Sequence, residues 1–323
     1  MGEFDLIRRF FARDQQVARV GIGDDCAIFG AQVGHEHCIS TDMLVEGRHF
    51  LPDVDPAALG HKALAVNLSD LAAMGARPHS FLLSLGLPDA DEAWLSAFST
   101  GLFDLAQQHG CALIGGDTTR SPLTVINITI QGLVAHGGGV LRSGAQIGDD
   151  IWVSGTLGDA ALGLALLQNR IRLTEEPLRA RAIRRLEWPE PRVALGMALA
   201  GIASAMMDLS DGLAGDLPHI LRASGRQATV ELADLPLSAS LRALPRMQAL
   251  SLATAGGDDY ELVFTAEPRA AARIEALADE HGLPLSRIGR ILPLAAGETA
   301  QIEWLLDGRP TRFEAQGFDH FND

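Results

Sequence analysis

The amino-acid sequence predicts a two-lobed protein of mixed α/β and α+β character, and three observations predict it. The chain has 323 residues, long for one domain. Short apolar runs with strand character alternate in mixed order with longer helical patterns, as when helices cover a sheet. The pattern breaks at 137–150, GGGVLRSGAQIGDD, a glycine-rich polar stretch that reads as a domain junction, and restarts beyond it.

Taken in order, residues 15–50 read as short strands separated by turns: QVARVGIG, CAIFGAQ and HCISTDMLV. A helix follows over 56–75. Pro56 suits its first turn, Gly75 its C-terminal cap, and Pro78 prevents continuation. A second helix spans 90–109, with Asp89 as N-cap, Glu92 three positions on and Gly110 closing it. Strand CALIGG (111–116) precedes a long β-rich run, LTVINITIQGLVA (123–135). Past the junction, IWVSG is a strand, GDAALGLALLQN a helix and 190–204 another. SAMMDLSDGLAGDL is an apolar run ending in acids, followed by a helix over 219–224. ATVEL, YELVFTA and LSRIGRIL are strands, a helix lies near 267–281, and FEAQGFDHFND forms an aromatic-bearing tail. Two echoes hint at duplication: NLSDLAAMG with DLSDGLAGD, and GIGDD with GGDD at 256–259.

Composition narrows the function. Hydrophobic residues make up 47% and charged residues 21%, enough apolar matter for a sizeable core. The net charge of −15 repels nucleic acid and anionic lipid, so neither is an expected partner. No run is apolar and long enough to cross a bilayer, and MGEFDLIRRF lacks the unbroken apolar region of a signal peptide. Three cysteines, Cys26, Cys38 and Cys111, make an odd number without CxxC spacing, which suggests neither disulfides nor zinc. The expectation is a cytoplasmic enzyme.

One chemical feature repeats: an apolar run ends in small residues and an acid follows at once. It places Asp24 and Asp25, Asp42, Asp117, Asp208 and Asp211, and Asp258 and Asp259; Asp70 joins them from a helix interior, sharing a face with Asn67. Each acid alone is an ordinary turn or cap former. As a set at the strand ends of one rim they would repel one another, with few Lys or Arg interleaved. Hard divalent cations relieve that repulsion, and the glycines let backbone N–H groups approach an anion, so the pattern points to Mg²⁺–polyphosphate binding. There is no GxxxxGK[ST], no GxGxxG after a strand and no HRD or DFG set, which argues against P-loop, dinucleotide-binding and protein-kinase readings. HEHC at 35–38 has no second Cys/His pair and reads as a loop between strands. His49 in GRHF and Arg142 in LRSGA are each either a phosphate contact or a solvated residue.

Taken together the motifs resemble the thiamine-monophosphate kinase family. GIGDDCAIF, STDMLVEGRHF, HKALAVNLSDLAAMGARP, IGGDTTRS, LRSGA, VSGTLGDAALGL, MDLSDGL, GGDDYELVFT and GFDHF appear in that family's order, over about residues 3–321. The resemblance implies an aminoimidazole ribonucleotide synthetase-like fold of α/β and α+β domains. Residues 1–138 would bind ATP and Mg²⁺ and dimerise, the sheet pairing with its copy into a barrel. Residues 139–306 would form the α+β domain, with the tail 307–323 contributing to the substrate site. Mg²⁺ ligands carry over to Asp25, Ser40, Thr41, Asp42, Asp70, Asp117, Asp208 and Asp211. ATP contacts fall on Gly116, Asp117, Arg142 and Ser210, and thiamine monophosphate contacts on His49, Asp258 and Phe318. The family usually has GGEDYEL where this chain has GGDDYEL, so the Asp258 carboxylate sits one methylene shorter.

The implied reaction is direct in-line transfer of the ATP γ-phosphoryl group to thiamine monophosphate, giving thiamine diphosphate. The nucleophile is already an anionic oxygen, so no strong general base, and no catalytic His or Cys, is required. Two alternatives stay open. One is another ATP-dependent activity of the superfamily, selenophosphate or aminoimidazole ribonucleotide synthesis; residues 1–20 lack the Cys and Lys of the former. The other is a non-catalytic Mg²⁺/nucleotide sensor.

Overall fold

The computed structural model describes residues 3–19, 22, 27, 30, 32–295, 297–313 and 317. The chain divides into two compact units, residues 1–71 with 76–139, and residues 72–75 with 140–323. Of the two strands expected before residue 32, QVARVGIG is not formed as foreseen, since residues 16–19 are bends and irregular chain, while CAIFGAQ lies mostly outside the described residues, as do Asp24, Asp25 and Phe318.

The first unit contains α1 (Glu3–Leu6) with a π-helical turn at Ile7–Phe11, β1 (His35–Val45), α2 (Pro56–Ala73), β2 (Arg77–Leu87), α3 (Glu92–Gln108), β3 (Ala112–Arg120) and β4 (Val125–Ala135). The strands form one sheet in the order β1-β4-β2-β3, antiparallel except for β2 and β3. α2 starts as expected, with the Ala58 N–H donating to Asp55 at 2.9 Å before the fixed φ of Pro56 sets the first turn. α3 starts two residues later than expected. Asp91, not Asp89, is the N-cap and accepts from the Ala93 and Trp94 N–H groups.

Two glycines let α2 and α3 touch backbone to backbone. A Cβ on Gly60 would lie 2.0 Å from the Phe98 carbonyl oxygen, and one on Gly101 only 1.9 Å from that of Ala57. The helix-facing side of the sheet is packed by Ile126, Ile128, Ile130, Phe81, Leu83 and Leu85, all buried. On the opposite side Ile39 and Met43 are 65% and 54% exposed.

The second unit holds β5 (Asp150–Ser154), α4 (Asp159–Leu167), α5 (Glu176–Glu187), α6 (Val193–Leu199), β6 (Ala205–Asp208), α7 (Leu213–Ser224), β7 (Arg226–Glu231), α8 (Ala239–Arg242), α9 (Arg246–Ala255), β8 (Leu262–Ala266), α10 (Ala271–His281), β9 (Leu285–Pro293), β10 (Ile302–Leu306) and β11 (Arg309–Pro310). The seven strands run in the order β11-β10-β7-β9-β5-β8-β6, antiparallel but for β7 with β10, which makes this unit α+β. Ile151, Val153, Val230, Val263, Ile288 and Ile291 meet Leu217, Ile220 and Leu221 of α7 in the core.

Several helical expectations change. The helix foreseen at 190–204 is only Val193–Leu199, the one foreseen at 219–224 begins six residues earlier at Leu213, and α5, α8 and α9 are not foreseen. α5, EPLRARAIRRLE, is rich in charge and buries only Ala182 and Leu186, so its composition does not stand out as a core helix. The echo between NLSDLAAMG and DLSDGLAGD is not structural. The first lies within and just after a helix, whereas the second runs from a strand end through a turn into a helix.

Candidate active site

In the first unit, alternation along β1 divides the candidates between two faces. Ser40 and Asp42 lie in register with the buried Ile130 and Ile128, and therefore face α2. There the Ser40 hydroxyl donates to the Asp70 carboxylate, joining two residues that lie 30 apart in sequence. Beside Asp70 on α2, Asn67 is buried; its amide N–H donates back to the Ala63 carbonyl at 3.0 Å and its Oδ1 has no hydrogen-bond partner.

Thr41 points to the other face, its hydroxyl donating to the Ile128 carbonyl at 3.0 Å and lying 3.1 Å from the Thr129 hydroxyl. Asp117 registers with Ser84 and through it with Asn127, which places it on the Thr41 face, exposed. The first unit thus brings Ser40, Asp42 and Asp70 to one side of the sheet and Thr41 and Asp117 to the other. Gly116 before Asp117 has φ +153°, and a Cβ there would lie 1.9 Å from the Leu83 carbonyl oxygen, so the strand pairing itself demands glycine.

His49 follows β1 in a tight turn. Its Nδ1 accepts the Val45 N–H at 3.0 Å, so in the neutral ring the proton resides on Nε2, the donor nitrogen.

In the second unit, two loops are laced together by their backbones. The Asp258 N–H donates to the Ser210 carbonyl, the Tyr260 N–H to the Leu209 carbonyl and the Leu209 N–H to the Glu261 carbonyl, each at 2.8 Å. The lacing is close because both loops use glycine. A Cβ on Gly257 would lie 2.4 Å from the Ser210 oxygen, and one on Gly212 would lie 2.8 Å from the Gly256 oxygen. Asp208, Ser210, Asp211 and Asp258 are thereby gathered around one pair of turns. Gly317, the last described residue, continues the set: a Cβ on it would lie 2.4 Å from the Gly215 Cα and 3.1 Å from the Asp211 carbonyl oxygen.

Arg142 is held on the same side of the unit. Its carbonyl accepts the Ser224 hydroxyl, and it acts electrostatically on His219 of α7, as Asp211 does. Burial foremost, then Arg222 and Arg142, hold the His219 pKa below its usual value.

Sequence reasoning missed Asp216. Only 2% exposed, it accepts the Asp211 N–H at 2.9 Å and so ties the DLSD turn to α7. Burial, followed by the charge of Asp208 and then that of Asp211, pushes its carboxyl up to about 8 against opposing hydrogen bonds from Asp211 and Ser210 N–H groups. The signal was present in DLSDGLAGD, whose last acid lies eight positions after the first. Sequence reasoning also missed Glu261, Arg185 and Arg192, because the arginines that meet Glu261 lie 76 and 69 positions from it along the chain.

Among the described residues, no three His, Cys, Asp or Glu side chains form a group that could hold a metal ion. The donor chemistry nevertheless suits a hard cation: carboxylate and hydroxyl oxygens, with one carboxyl displaced upward partly by its acidic neighbours. Among the described residues no helix is long and apolar enough to cross a membrane.

Comparison with known proteins places this geometry in a family. Residues 23–134 match the AIR synthase related protein, N-terminal domain, and residues 146–298 the AIR synthase related protein, C-terminal domain. The thiamine-monophosphate kinase of Salmonella typhimurium is 47% identical over 324 residues, covering 99% of this chain and 98% of that protein. The crystal structure of thiamine-monophosphate kinase from Stenotrophomonas maltophilia superposes with a TM-score of 0.83 at 43% identity, covering 95% of this chain and 96% of that one. AaThiL complexed with AMPPCP and TMP superposes with a TM-score of 0.76 at 31% identity, covering 90% and 89%. Agreement along both domains at this identity shows that the chain belongs to the thiamine-monophosphate kinase family.

Proposed function

We propose that this chain transfers the γ-phosphoryl group of ATP to the phosphate of thiamine monophosphate, giving thiamine diphosphate and ADP. The observation that carries the reading is likeness along the whole chain, at 47% identity, to a thiamine-monophosphate kinase. A relative that binds AMPPCP and TMP adds support.

The roles follow from charge and hydrogen bonding. The attacking group is a phosphate oxygen, anionic at neutral pH, so the residues need to orient and neutralise rather than remove a proton. The His49 Nε2–H is a donor suited to the acceptor phosphate. The Asp258 carboxylate, shorter than the family's usual glutamate, suits a cationic, amino-bearing acceptor, and the ring of Phe318 would stack on it. Gly116, Asp117, Arg142 and Ser210 are assigned to ATP, Arg142 by its charge.

The oxygen donors of the first unit are Ser40, Asp42 and Asp70 on the helix-facing side of its sheet and Thr41 and Asp117 on the other side, with Asp25 assigned from the resemblance alone; those of the second unit are Asp208 and Asp211. Carboxylate and hydroxyl oxygens of this kind fit Mg²⁺. When bound, Mg²⁺ supplies neutralisation of phosphate charge that otherwise repels the incoming anion. Asp216 orients Asp211 by holding its amide.

Residues 1–138 are proposed as the ATP-binding and dimerising domain, 139–306 as the α+β domain and 307–323 as a substrate-site tail. The exposed Ile39 and Met43 support a homodimer in which the first unit's sheet pairs with its copy into a barrel. A cytoplasmic location without nucleic-acid or membrane partners fits the charge of −15.

The test is direct. Purified protein with ATP, Mg²⁺ and thiamine monophosphate is followed for ADP and thiamine diphosphate in equal amounts. Nucleotide binding without turnover overturns the kinase reading in favour of a sensor.

A further inference from the structure

The GGDDYE turn adopts a conformation that its residues do not favour. Asp258 and Tyr260 have φ of +68° and +51°, left-handed backbone that is uncommon outside glycine. Two such residues in one turn persist only where the surroundings over-determine them.

The surroundings here are a buried ionic cluster. Glu261 is fully buried, yet its carboxylate is saturated with donors. Arg192 donates through Nε to Oε2 at 2.8 Å and through Nη2 to Oε1 at 2.5 Å. Arg185 donates to Oε1 at 2.8 Å, and the Ser154 hydroxyl to Oε2 at 2.6 Å. Gly155 makes room, since a Cβ there would lie 2.2 Å from Oε1.

The same Arg185 nitrogen also donates to the Asp259 carbonyl at 3.2 Å, inside the turn. On the other side the Asp259 carboxylate accepts the Gly158 N–H at 2.6 Å. What the clamp leaves outward is Asp258, whose Oδ1 accepts the Tyr260 hydroxyl at 3.1 Å.

A buried ion cluster is poor evidence of a purely stabilising role, because apolar residues of the same volume often serve as well. Its reach into the carbonyl of a strained turn is what apolar residues could not reproduce. We propose that Glu261, with Arg185 and Arg192, is a positioning residue for the acceptor: it acts through the strained turn to aim the Asp258 carboxylate, and so sets affinity for thiamine monophosphate rather than for ATP. This rests on the assignment of Asp258 to the acceptor.

The experiment uses the full chain and begins with wild-type turnover, whose absence would overturn the functional reading itself. Arg185→Lys, Ser154→Ala and Glu261→Gln are then compared, each alone and with Asp258→Asn, and thermal unfolding selects the folded variants. Arg185→Lys raises the acceptor KM about tenfold, the scale of coupling between contacting residues, and leaves the Kd for AMPPCP within about twofold. In the Asp258→Asn background it adds little, because the residue it acts through is already lost. If Glu261→Gln does not fold, the two milder variants decide. Additive effects with Asp258→Asn, an unchanged acceptor KM, or an equal loss of AMPPCP binding would each overturn the proposal.

Discussion

Asp216 offers the sharpest quantitative test of the acidic cluster. The perturbation is Asp216→Asn, which removes the titrating group and keeps an oxygen able to accept the Asp211 N–H. Burial foremost, then Asp208 and Asp211, lift its carboxyl to about 8 in the native protein, from an ordinary value of 3.8. Between those two values the native state holds a proton that the unfolded chain has released, so stability falls as pH rises. From pH 5 to pH 8 the ceiling is three units at 1.36 kcal/mol each, about 4 kcal/mol, and relaxation around the charge lowers this to about 2–4 kcal/mol. Urea unfolding in EDTA, followed by circular dichroism across that range, should show the wild type losing stability relative to Asp216→Asn by that amount. Parallel pH profiles, or a gap that opens toward acid instead, would refute the reasoning. With excess Mg²⁺ the wild-type slope should flatten, since a cation beside Asp208 and Asp211 removes part of the repulsion.

Two further outcomes test the first unit. Gly101→Ala gains about 1 kcal/mol in helix propensity, but its Cβ would sit 1.9 Å from a backbone carbonyl that cannot rotate away. Overpacking of about 1–3 kcal/mol prevails, for a net drop in Tm of a few degrees in a thermal melt, and a variant as stable as wild type contradicts the packing argument. The Cys111 thiol, pushed up to about 12 by burial, should resist iodoacetamide at pH 8 in the native protein and react only after unfolding, as read by mass spectrometry. Labelling of Cys111 before unfolding would count against its burial.

The elements most legible in the sequence were those whose signals are local. Helix α2 was readable because Pro56, an apolar body and Gly75 mark its start and stop within one stretch. The start of α3 was misjudged by two residues because Asp89 and Asp91 are both chemically able to cap, and only the path of the chain chooses Asp91. Helix α7 begins earlier than its sequence suggests because DLSDGLAGD reads as a turn, and its first residues become helical once Leu213 and Leu217 find the core. The acids at strand ends were found from their repeated setting. Asp216 was passed over because one further acid in an acidic run carries no local mark of burial.

By itself, then, the sequence determined the order of motifs, the oxygen-rich chemistry of the candidate site and the family to which the chain belongs. Those depend on residue type and spacing, which are one-dimensional. The tertiary structure alone decided that Ser40 meets Asp70 while Thr41 and Asp117 lie on the opposite face, because strand register is set by pairing and not by any one strand. It alone decided that the DLSD turn is laced to GGDDYE, and that Glu261 is clamped by Ser154, 107 positions away, and by Arg192, 69 away. A charge buried at the cost of losing water can be kept only by partners brought from distant parts of the chain, and no local pattern announces where they will come from.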